Sequence, residues 1–223
     1  SDGSKVYAFG GLTNCANGTT TLATTEAFDG VTWSSPGPSG APGGRYNMAA
    51  AWTGTRMFVF GGSSSTAAYT GQTALLDPAG NSWSVSSCAL AGCERANAVA
   101  FVHSGSVHVM GGAGGGAPAG LEFNLTSSSW SAWALPSGTP ALGPYWADDG
   151  ARLYVPSDSG GCGTVKVNVF SRASSSWTAD AAAAVTGLAA GPSVWVGGEM
   201  ITWGGLCGGA ASAAGGRYQP PAP

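Results

Sequence analysis

Charge is what this 223-residue sequence most lacks, because charged residues make up only 9% of it, against about a quarter in an average soluble protein. The 8 basic and 11 acidic residues give a net charge of −3 and form no run of either sign. That balance argues against nucleic acid or an anionic membrane as a partner. No apolar stretch approaches the roughly 20 residues that a membrane-spanning helix needs. We therefore expect no nucleic-acid partner and no membrane insertion.

The familiar catalytic motifs are missing as well. The sequence contains only two histidines, His103 and His108, and it has no Gly-x-Ser-x-Gly elbow, no His-Glu-x-x-His and no phosphate-binding loop. Three acidic residues, Asp148, Asp149 and Asp158, match the spacing of no calcium loop, and Asp149-Gly150 is typical of a hairpin turn. The sequence thus predicts no metal site, no cofactor and no catalytic residue.

What the sequence does contain is a repeat of about 50 residues, each copy built on a short apolar strand that ends in two glycines. A glycine pair permits backbone angles that a side chain would forbid. The copies are Lys5–Gly11, Met57–Gly62, Val107–Gly112 and Met200–Gly205, and a degenerate one, Leu153–Asp158, has Ser157 and Asp158 in place of the glycines.

Two further landmarks recur in register with the glycines. A tryptophan follows each glycine position by roughly 20 residues, and a turn that contains Asp, Asn or Ser precedes it. These tryptophans are Trp33, Trp83, Trp130 and Trp177. A single glycine precedes each strand and indicates a tight hairpin between a first and a second strand.

The combination of hairpin Gly, Gly-Gly, Asp/Asn turn and Trp resembles the repeat of the Kelch family across nearly the whole chain, from Lys5 to Pro220. The resemblance implies an all-β Kelch-type β-propeller, a single domain over 1–223, with about five four-stranded blades. The expected blade pieces are 1–35, 45–87, 95–134, 143–180 and 191–223. The first piece lacks a first strand and the last lacks a fourth, so we expect part of a longer propeller of six or seven blades, with a five-bladed ring as the rival.

The five cysteines favour an oxidising compartment and hence a secreted protein. Cys88 and Cys93 are close enough along the chain for a local disulfide. Cys162 and Cys207 fall in equivalent loops and are the other expected pair, which leaves Cys15 without an assigned partner. The open alternative is that Cys15, Cys162 and Cys207 are small buried residues.

Alignment of the first strands on the hairpin glycine predicts a candidate binding ring of Trp52, His103, Asp148 and Trp195, because first strands line the central channel of a propeller. Trp146 lies two residues before Asp148 and shares its side of the strand. Aromatic faces stack on sugars while His and Asp bond hydroxyl groups. The alternative is that these aromatic residues pack between adjacent blades.

Other residues have simpler expected roles. The four recurrent tryptophans are predicted to be core residues between blades, whereas Trp133 lies outside the repeat and is a candidate exposed contact. Arg45 and Arg95 precede first strands, and we expect their guanidinium groups to bond loop carbonyls. The stretch 181–184 is alanine-rich and is the one place where a short helical turn is expected.

Asn17 and Asn124 each begin an Asn-x-Thr triplet and are candidate glycosylation sites if the source is a secreting eukaryote.

The function that these features favour is that of a secreted Kelch propeller, a binding or scaffold module whose face loops contact a glycan or a protein. An alternative is a propeller that acts on carbohydrate, or accompanies an enzyme that does, with an oxidase-like or mutarotase-like site at the channel mouth. A third is an architectural part of an extracellular assembly.

Overall fold

The computed structural model describes residues 1–13, 20–64, 68–114, 120–140, 145–157, 164–186, 191–204, 206–207, 210–211 and 213–220. These residues form twenty β-strands in small antiparallel sheets, and no helix occurs among them. No helix in this part of the chain is therefore long and apolar enough to span a membrane. The fold class expected from the repeat, an all-β propeller with incomplete first and last blades, is confirmed.

The first compact unit, 1–134, contains three sheets. The first sheet has three strands, β1 (Val6–Phe9), β2 (Thr25–Phe28) and β3 (Trp33–Ser34). The second has β4 (Ala49–Trp52), β5 (Met57–Phe60), β6 (Gln72–Asp77) and β7 (Ser82–Ser87). The third has β8 (Val99–His103), β9 (Ser106–Met110), β10 (Gly120–Asn124) and β11 (Ser129–Trp133). In each sheet, strands that follow one another along the chain are hydrogen-bonded neighbours.

The second compact unit, 135–223, contains the two remaining blades. The fourth sheet has β12 (Ala147–Asp148), β13 (Arg152–Ser157), β14 (Thr164–Ser171) and β15 (Ser176–Thr186). The last has β16 (Ser193–Val196), β17 (Glu199–Trp203) and β20 (Gly215–Tyr218), and the hairpin β18 (Leu206–Cys207) and β19 (Ala210–Ala211) lies between β17 and β20 in the chain. The helical turn expected at 181–184 is wrong, because β15 continues through this stretch and Val185 pairs with Val165.

Aromatic packing joins neighbouring sheets of the first unit. Trp83 of the second sheet is 7% exposed, lies 5.0 Å from Phe9 between ring centroids, and donates a hydrogen bond from its indole Nε1 to Thr25 Oγ1 at 3.1 Å. The third sheet repeats the contact, since Trp130 packs on Phe60 and donates to a threonine of the second sheet. The prediction that the recurrent tryptophans pack between blades is confirmed for these two.

Trp33 departs from that prediction. Its side chain is 59% exposed, although its ring packs against Phe28 of the same sheet. The physical reason is that Trp83 and Trp130 each pack on the sheet before their own, whereas no described residue covers Trp33 in that way. Trp177 is partly buried and lies 5.3 Å from Phe170 within the fourth sheet.

The glycine pairs join sheets through backbone atoms. Gly11 N–H donates to the Arg45 carbonyl at 2.9 Å, and Gly62 N–H donates to the Arg95 carbonyl at 2.8 Å. The first glycine of the pair, Gly61, has a φ of 70° and lies so close to the Arg95 carbonyl oxygen that a Cβ would collide with it. Only glycine fits there, because it tolerates the left-handed conformation and has no Cβ.

The two arginines are buried and bond loop carbonyls, as predicted. Arg45 is 4% exposed and donates from Nε to the Gly43 carbonyl at 3.0 Å and from NH1 to the Gly61 carbonyl at 3.3 Å. Arg95 donates from NH1 to the Gly111 carbonyl, also at 3.3 Å. Each guanidinium thus bonds the carbonyl of the first glycine after the second strand of its own sheet, which is a structural role.

Candidate ligand-binding cleft

A hairpin motif occurs once in each unit, with the pattern Asp-Gly-x-Lys/Arg-x-Tyr. In the first unit it comprises Asp2 to Tyr7 and leads into β1. The Asp2 Oδ1 atom accepts hydrogen bonds from the backbone N–H of Ser4 at 2.8 Å and of Lys5 at 2.6 Å. An aspartate in the first position of a turn stabilises it in this way, because its carboxylate satisfies backbone donors that the turn leaves open.

The same aspartate orients the tyrosine. The Tyr7 hydroxyl donates to Asp2 Oδ2 at 2.9 Å, and the Tyr7 ring lies almost parallel to that of Trp52, with 5.9 Å between centroids and 5° between planes. Tyr7 belongs to β1 and Trp52 ends β4, so the pair spans the first and second sheets. Both rings are only partly buried, so part of this aromatic surface faces solvent.

The hydrogen bonds also determine the protonation of the Asp2 carboxylate and the Tyr7 hydroxyl. Donation from the backbone N–H groups of Lys5 and Ser4, and then from the Ser4 and Tyr7 hydroxyls, holds the pKa of Asp2 far below its usual value. Burial and the neighbouring Asp2 carboxylate raise the pKa of Tyr7 above 10.0. At neutral pH the carboxylate is therefore ionised and the phenol remains a donor.

Two open pockets adjoin this aromatic pair, and we call them together the cleft. Its larger part has a volume of about 460 Å³ and its smaller part about 160 Å³, and both are lined by Tyr7 and Trp52. The larger part adds Asp2, Ser4, Lys5, Gly54, Thr55, Pro78 and Ala79, and the smaller adds Ser1, Ala50, Ala51 and Met57. Hydroxyl, carboxylate and ammonium groups thus border a partly exposed pair of aromatic rings.

The second unit contains a closed version of the same motif. Asp149 accepts hydrogen bonds from the backbone N–H of Ala151 and Arg152 and from the Tyr154 hydroxyl, the last at 2.7 Å. The Tyr154 ring is parallel to that of Trp195, with centroids 4.7 Å apart. Unlike Tyr7, Tyr154 is fully buried.

The pKa values of the closed motif move in the same directions. Burial by itself would raise the pKa of Asp149, but hydrogen bonds from Tyr154, from the backbone of Arg152 and Ala151, and from the Arg152 side chain lower it below 3.8. Burial, followed by the hydrogen bond to Asp149, raises the pKa of Tyr154 strongly.

The predicted ring residues fall into two pairs, one in each unit. Trp52 and His103 belong to β4 and β8, which are neighbours in the first unit, and Asp148 and Trp195 belong to β12 and β16, which are neighbours in the second. Trp52 and Trp195 both stack on a tyrosine of the preceding sheet, so the alternative of packing between blades holds for these two. Trp52 therefore packs between two blades and is also partly exposed to the cleft.

The two polar members of the ring have other partners. Asp148 accepts two hydrogen bonds from the Arg172 guanidinium, at 2.8 and 2.7 Å, so its carboxylate is already paired with a residue that directly follows β14. His103 is partly buried, with its Nε2 atom 3.2 Å from Ser104 Oγ and its ring 5.8 Å from that of His108.

The two remaining candidates, Trp133 and Trp146, lie outside the cleft. Trp133 ends β11 and packs edge-on against His108, with centroids 4.5 Å apart, so it is partly buried rather than a fully exposed contact. Trp146 is partly buried directly before β12. Within the described residues, no group of three His, Cys, Asp or Glu side chains is arranged to hold a metal ion.

Of the cysteines, Cys88 and Cys93 form the predicted disulfide, with Cα atoms 6.4 Å apart. The other expected pair is not tested, because Cys162 lies outside the described residues and only the backbone of Cys207, in β18, is described. Cys15 also lies outside them.

The structure describes only one of the two glycosylation candidates. Asn17 lies outside the described residues. Asn124 is exposed at the end of β10, and its Oδ1 accepts the backbone N–H of Thr126 and Ser127.

Asp2 and Tyr7 are the site residues that the sequence reasoning missed. The available signal was the repeated Asp-Gly-x-Lys/Arg-x-Tyr pattern, in which the tyrosine is three residues before the glycine position. The equivalent residue of the second sheet is Phe58, which has no hydroxyl and is fully buried. In comparisons with known proteins, no protein-family model and no curated protein matches the chain.

Proposed function

We propose that this protein is a secreted Kelch-type propeller that acts as a binding module for a glycan, and that the glycan binds in the cleft along Tyr7 and Trp52. The observation that supports the proposal is the partly exposed, parallel pair of aromatic rings with polar groups at its edge. An aromatic surface of this kind binds the apolar C–H face of a sugar ring, and the polar rim supplies hydrogen bonds to hydroxyl groups.

The hydrogen-bonding capacity of the rim fits hydroxyl-rich ligands. Tyr7 uses its hydroxyl hydrogen for Asp2 and keeps oxygen lone pairs that can accept from a sugar hydroxyl. Asp2 Oδ2 accepts from Tyr7 and has a further lone pair for a sugar hydroxyl, while Lys5 and Thr55 supply donors. Secretion is supported by the Cys88–Cys93 disulfide, which suits an oxidising compartment.

A glycan array followed by calorimetric titration of the best ligand tests the proposal. We expect Trp52→Ala to weaken binding by about tenfold or more, which corresponds to ~1.4 kcal/mol. Tyr7→Phe keeps the ring and removes the hydroxyl, so we expect a smaller loss. The matched control is Trp133→Ala, which removes another partly buried indole of the same unit that lies outside the cleft.

Two results would overturn the assignment. A protein that binds no glycan on the array has a different function, and binding that survives Trp52→Ala but is lost in Trp133→Ala has a different site. Thermal melts of all variants separate loss of binding from loss of fold.

A further inference from the structure

The second unit contains a pocket of its own, with a volume of about 270 Å³, between the fourth and the last sheet. This volume is below the roughly 300–1,000 Å³ of sites for drug-sized ligands, so the pocket suits a small ligand or one residue of a larger one. We call it the second-unit pocket. It is lined by Arg152 of β13, Val169 and Ser171 of β14, Thr178 and Ala179 of β15, Tyr218 of β20, and Pro220.

This pocket corresponds to the cleft of the first unit. Arg152 is the cation of the hairpin motif of the second unit, as Lys5 is in the first. Pro220 follows the third strand of the last sheet closely, as Pro78 follows the third strand of the second sheet. Lys5 and Pro78 line the larger part of the cleft, and Arg152 and Pro220 line the second-unit pocket. The repeat thus places a pocket at the same position in both units, and the residues around it decide its chemistry.

The guanidinium of Arg152 is held in a fixed orientation at the edge of the pocket. Its Nε atom donates to Asp149 Oδ2 at 3.1 Å, and its central carbon lies 5.6 Å from the centre of the Tyr154 ring. The Arg152 side chain is nevertheless 33% exposed, and its two terminal NH2 groups bond to none of the described residues. Such a pair of donors matches the two oxygens of a carboxylate, and its fixed orientation lowers the entropy lost on binding.

A hydroxyl donor lies beside this guanidinium. Ser171 is paired with Arg152 in the register of β13 and β14, so the two side chains are neighbours on one side of the sheet. The Ser171 Oγ atom accepts the backbone N–H of Ser174 at 3.4 Å, and its own hydrogen is used by none of the described residues. Thr178 donates to the Val169 carbonyl and keeps oxygen lone pairs that can accept from a ligand hydroxyl.

The charge of the pocket suits a ligand with one negative charge. Arg152 is the only charged residue among the described residues that line it. The carboxylate behind it, Asp149, is 8% exposed and accepts from two backbone N–H groups and the Tyr154 hydroxyl as well as from Arg152. In the cleft, by contrast, the exposed Asp2 is itself a lining residue and would repel an anion. One guanidinium beside neutral hydroxyls therefore favours a carboxylate over a doubly charged phosphate.

We propose that the second-unit pocket is a second sugar site and that it binds the carboxylate of a uronic acid. The carboxylate accepts hydrogen bonds from the two terminal NH2 groups of Arg152 and from the Ser171 hydroxyl, and Thr178 accepts from a hydroxyl of the sugar ring. The choice of a sugar rests on the proposed function of the protein, whereas the choice of a carboxylate rests on this pocket alone.

A ¹H–¹⁵N NMR titration of the 223-residue protein with sodium D-glucuronate tests the proposal, with D-glucose as the neutral sugar of the same ring. We expect glucuronate to shift the amide signals of Arg152, Ser171 and Thr178 and to bind there about tenfold or more tightly than glucose, because only glucuronate forms charge-assisted hydrogen bonds. Added salt should weaken this binding, since the attraction is between charges near the surface.

Three variants locate the binding at this pocket. Arg152→Lys keeps the charge and loses the planar pair of donors, so we expect the Kd to rise several-fold. Ser171→Glu places a carboxylate of the chain itself beside Arg152 and should abolish binding. The matched control is Arg217→Gln, which removes a 72% exposed arginine of the same unit that does not line the pocket and should change nothing. Thermal melts confirm that the variants fold, and Ser171→Ala, which removes only the donor and should weaken binding several-fold, replaces Ser171→Glu if that variant unfolds.

The proposal is wrong if glucose binds at these amides as tightly as glucuronate, or if glucuronate shifts only signals from other parts of the chain. Tighter binding by a tetraglutamate peptide than by glucuronate would identify an acidic peptide as the ligand instead. Trp52→Ala separates this site from the cleft, because that variant should keep the glucuronate shifts. A protein that binds neutral glycans at the cleft and gives no shift with glucuronate has the proposed function without this second site.

Discussion

The two Asp-Gly-x-Lys/Arg-x-Tyr hairpins use the same hydrogen bonds with opposite results. Asp2 and Asp149 each accept two turn N–H groups and a tyrosine hydroxyl, and each tyrosine stacks on a tryptophan of the next sheet. Yet Tyr7 borders an open cleft, whereas Tyr154 is fully buried. A shared motif therefore does not imply a shared role.

The difference comes from what covers the tyrosine. In the second unit Arg152 pairs with Asp149 at 3.1 Å and its guanidinium lies 5.6 Å from the centre of the Tyr154 ring, and the centre of the Tyr218 ring lies 5.9 Å from that of Tyr154. In the first unit the position of Arg152 is occupied by Lys5, which forms no salt bridge with any described residue. The closed copy thus stabilises the fold, and the open copy is available to a ligand.

The largest expected effect separates the two tyrosines. Tyr154→Ala should lower the free energy of unfolding by about 3–5 kcal/mol, because a fully buried ring leaves a cavity. Tyr7→Ala should cost only about 1–2 kcal/mol, because its ring is partly exposed already. Urea denaturation followed by tryptophan fluorescence measures both, and equal losses would contradict the distinction between a closed and an open copy.

The pH dependence of stability gives a sharper test of the carboxylates. Both aspartates have a folded-state pKa below 3.8, so their stabilising contribution is present above that value and is lost as the pH falls through the lowered pKa. Asp149→Asn should lower stability at pH 7 by about 1–3 kcal/mol and flatten its loss in acid, because the carboxylate is buried among its donors. Asp2→Asn should have a smaller effect, since solvent screens the exposed Asp2. Denaturation at pH 3, 4, 5 and 7 tests the order, which a steeper Asp2 effect would reverse.

The smallest expected effect is that of exchanging the cationic residues of the two hairpins, Lys5 and Arg152. Lys5→Arg should place a guanidinium over Tyr7 as Arg152 lies over Tyr154, leaving stability within about 0.5 kcal/mol of wild type and weakening glycan binding several-fold. Arg152→Lys is the reciprocal variant and should leave binding at the cleft unchanged. Titration of the two variants against the same glycan measures this, and unchanged binding by Lys5→Arg would show that the cation does not control access.

The strands and their order followed from the sequence because the repeat marks them directly. Gly10-Gly11 and Gly61-Gly62 end second strands, and the turns after Phe28 and Leu76 separate third from fourth strands. The extension of β15 through 181–184 could not be predicted, because alanine favours a helix locally, whereas the pairs Asp180–Val167 and Val185–Val165 on either side of the stretch keep it in the strand across an irregularity in the register.

Only part of the cleft could be predicted from the sequence. Alignment of first strands identified Trp52, but its contact with Tyr7 joins two different sheets, and the pattern of a single repeat contains no information about which residues of neighbouring sheets meet. A different limit explains Asp148: the alignment compared only first strands, so it could not show that Arg172, directly after β14 of the same sheet, pairs with this carboxylate.

The backbone bonds from Gly11 to Arg45 and from Gly62 to Arg95 have a consequence for how such a chain can evolve. Main-chain atoms make these joints, and any residue can supply the carbonyl that a glycine N–H requires. Duplication of a whole repeat of about 50 residues would also duplicate this backbone contact between sheets. The number of blades can therefore change by duplication of a gene segment, and no new type of contact is needed.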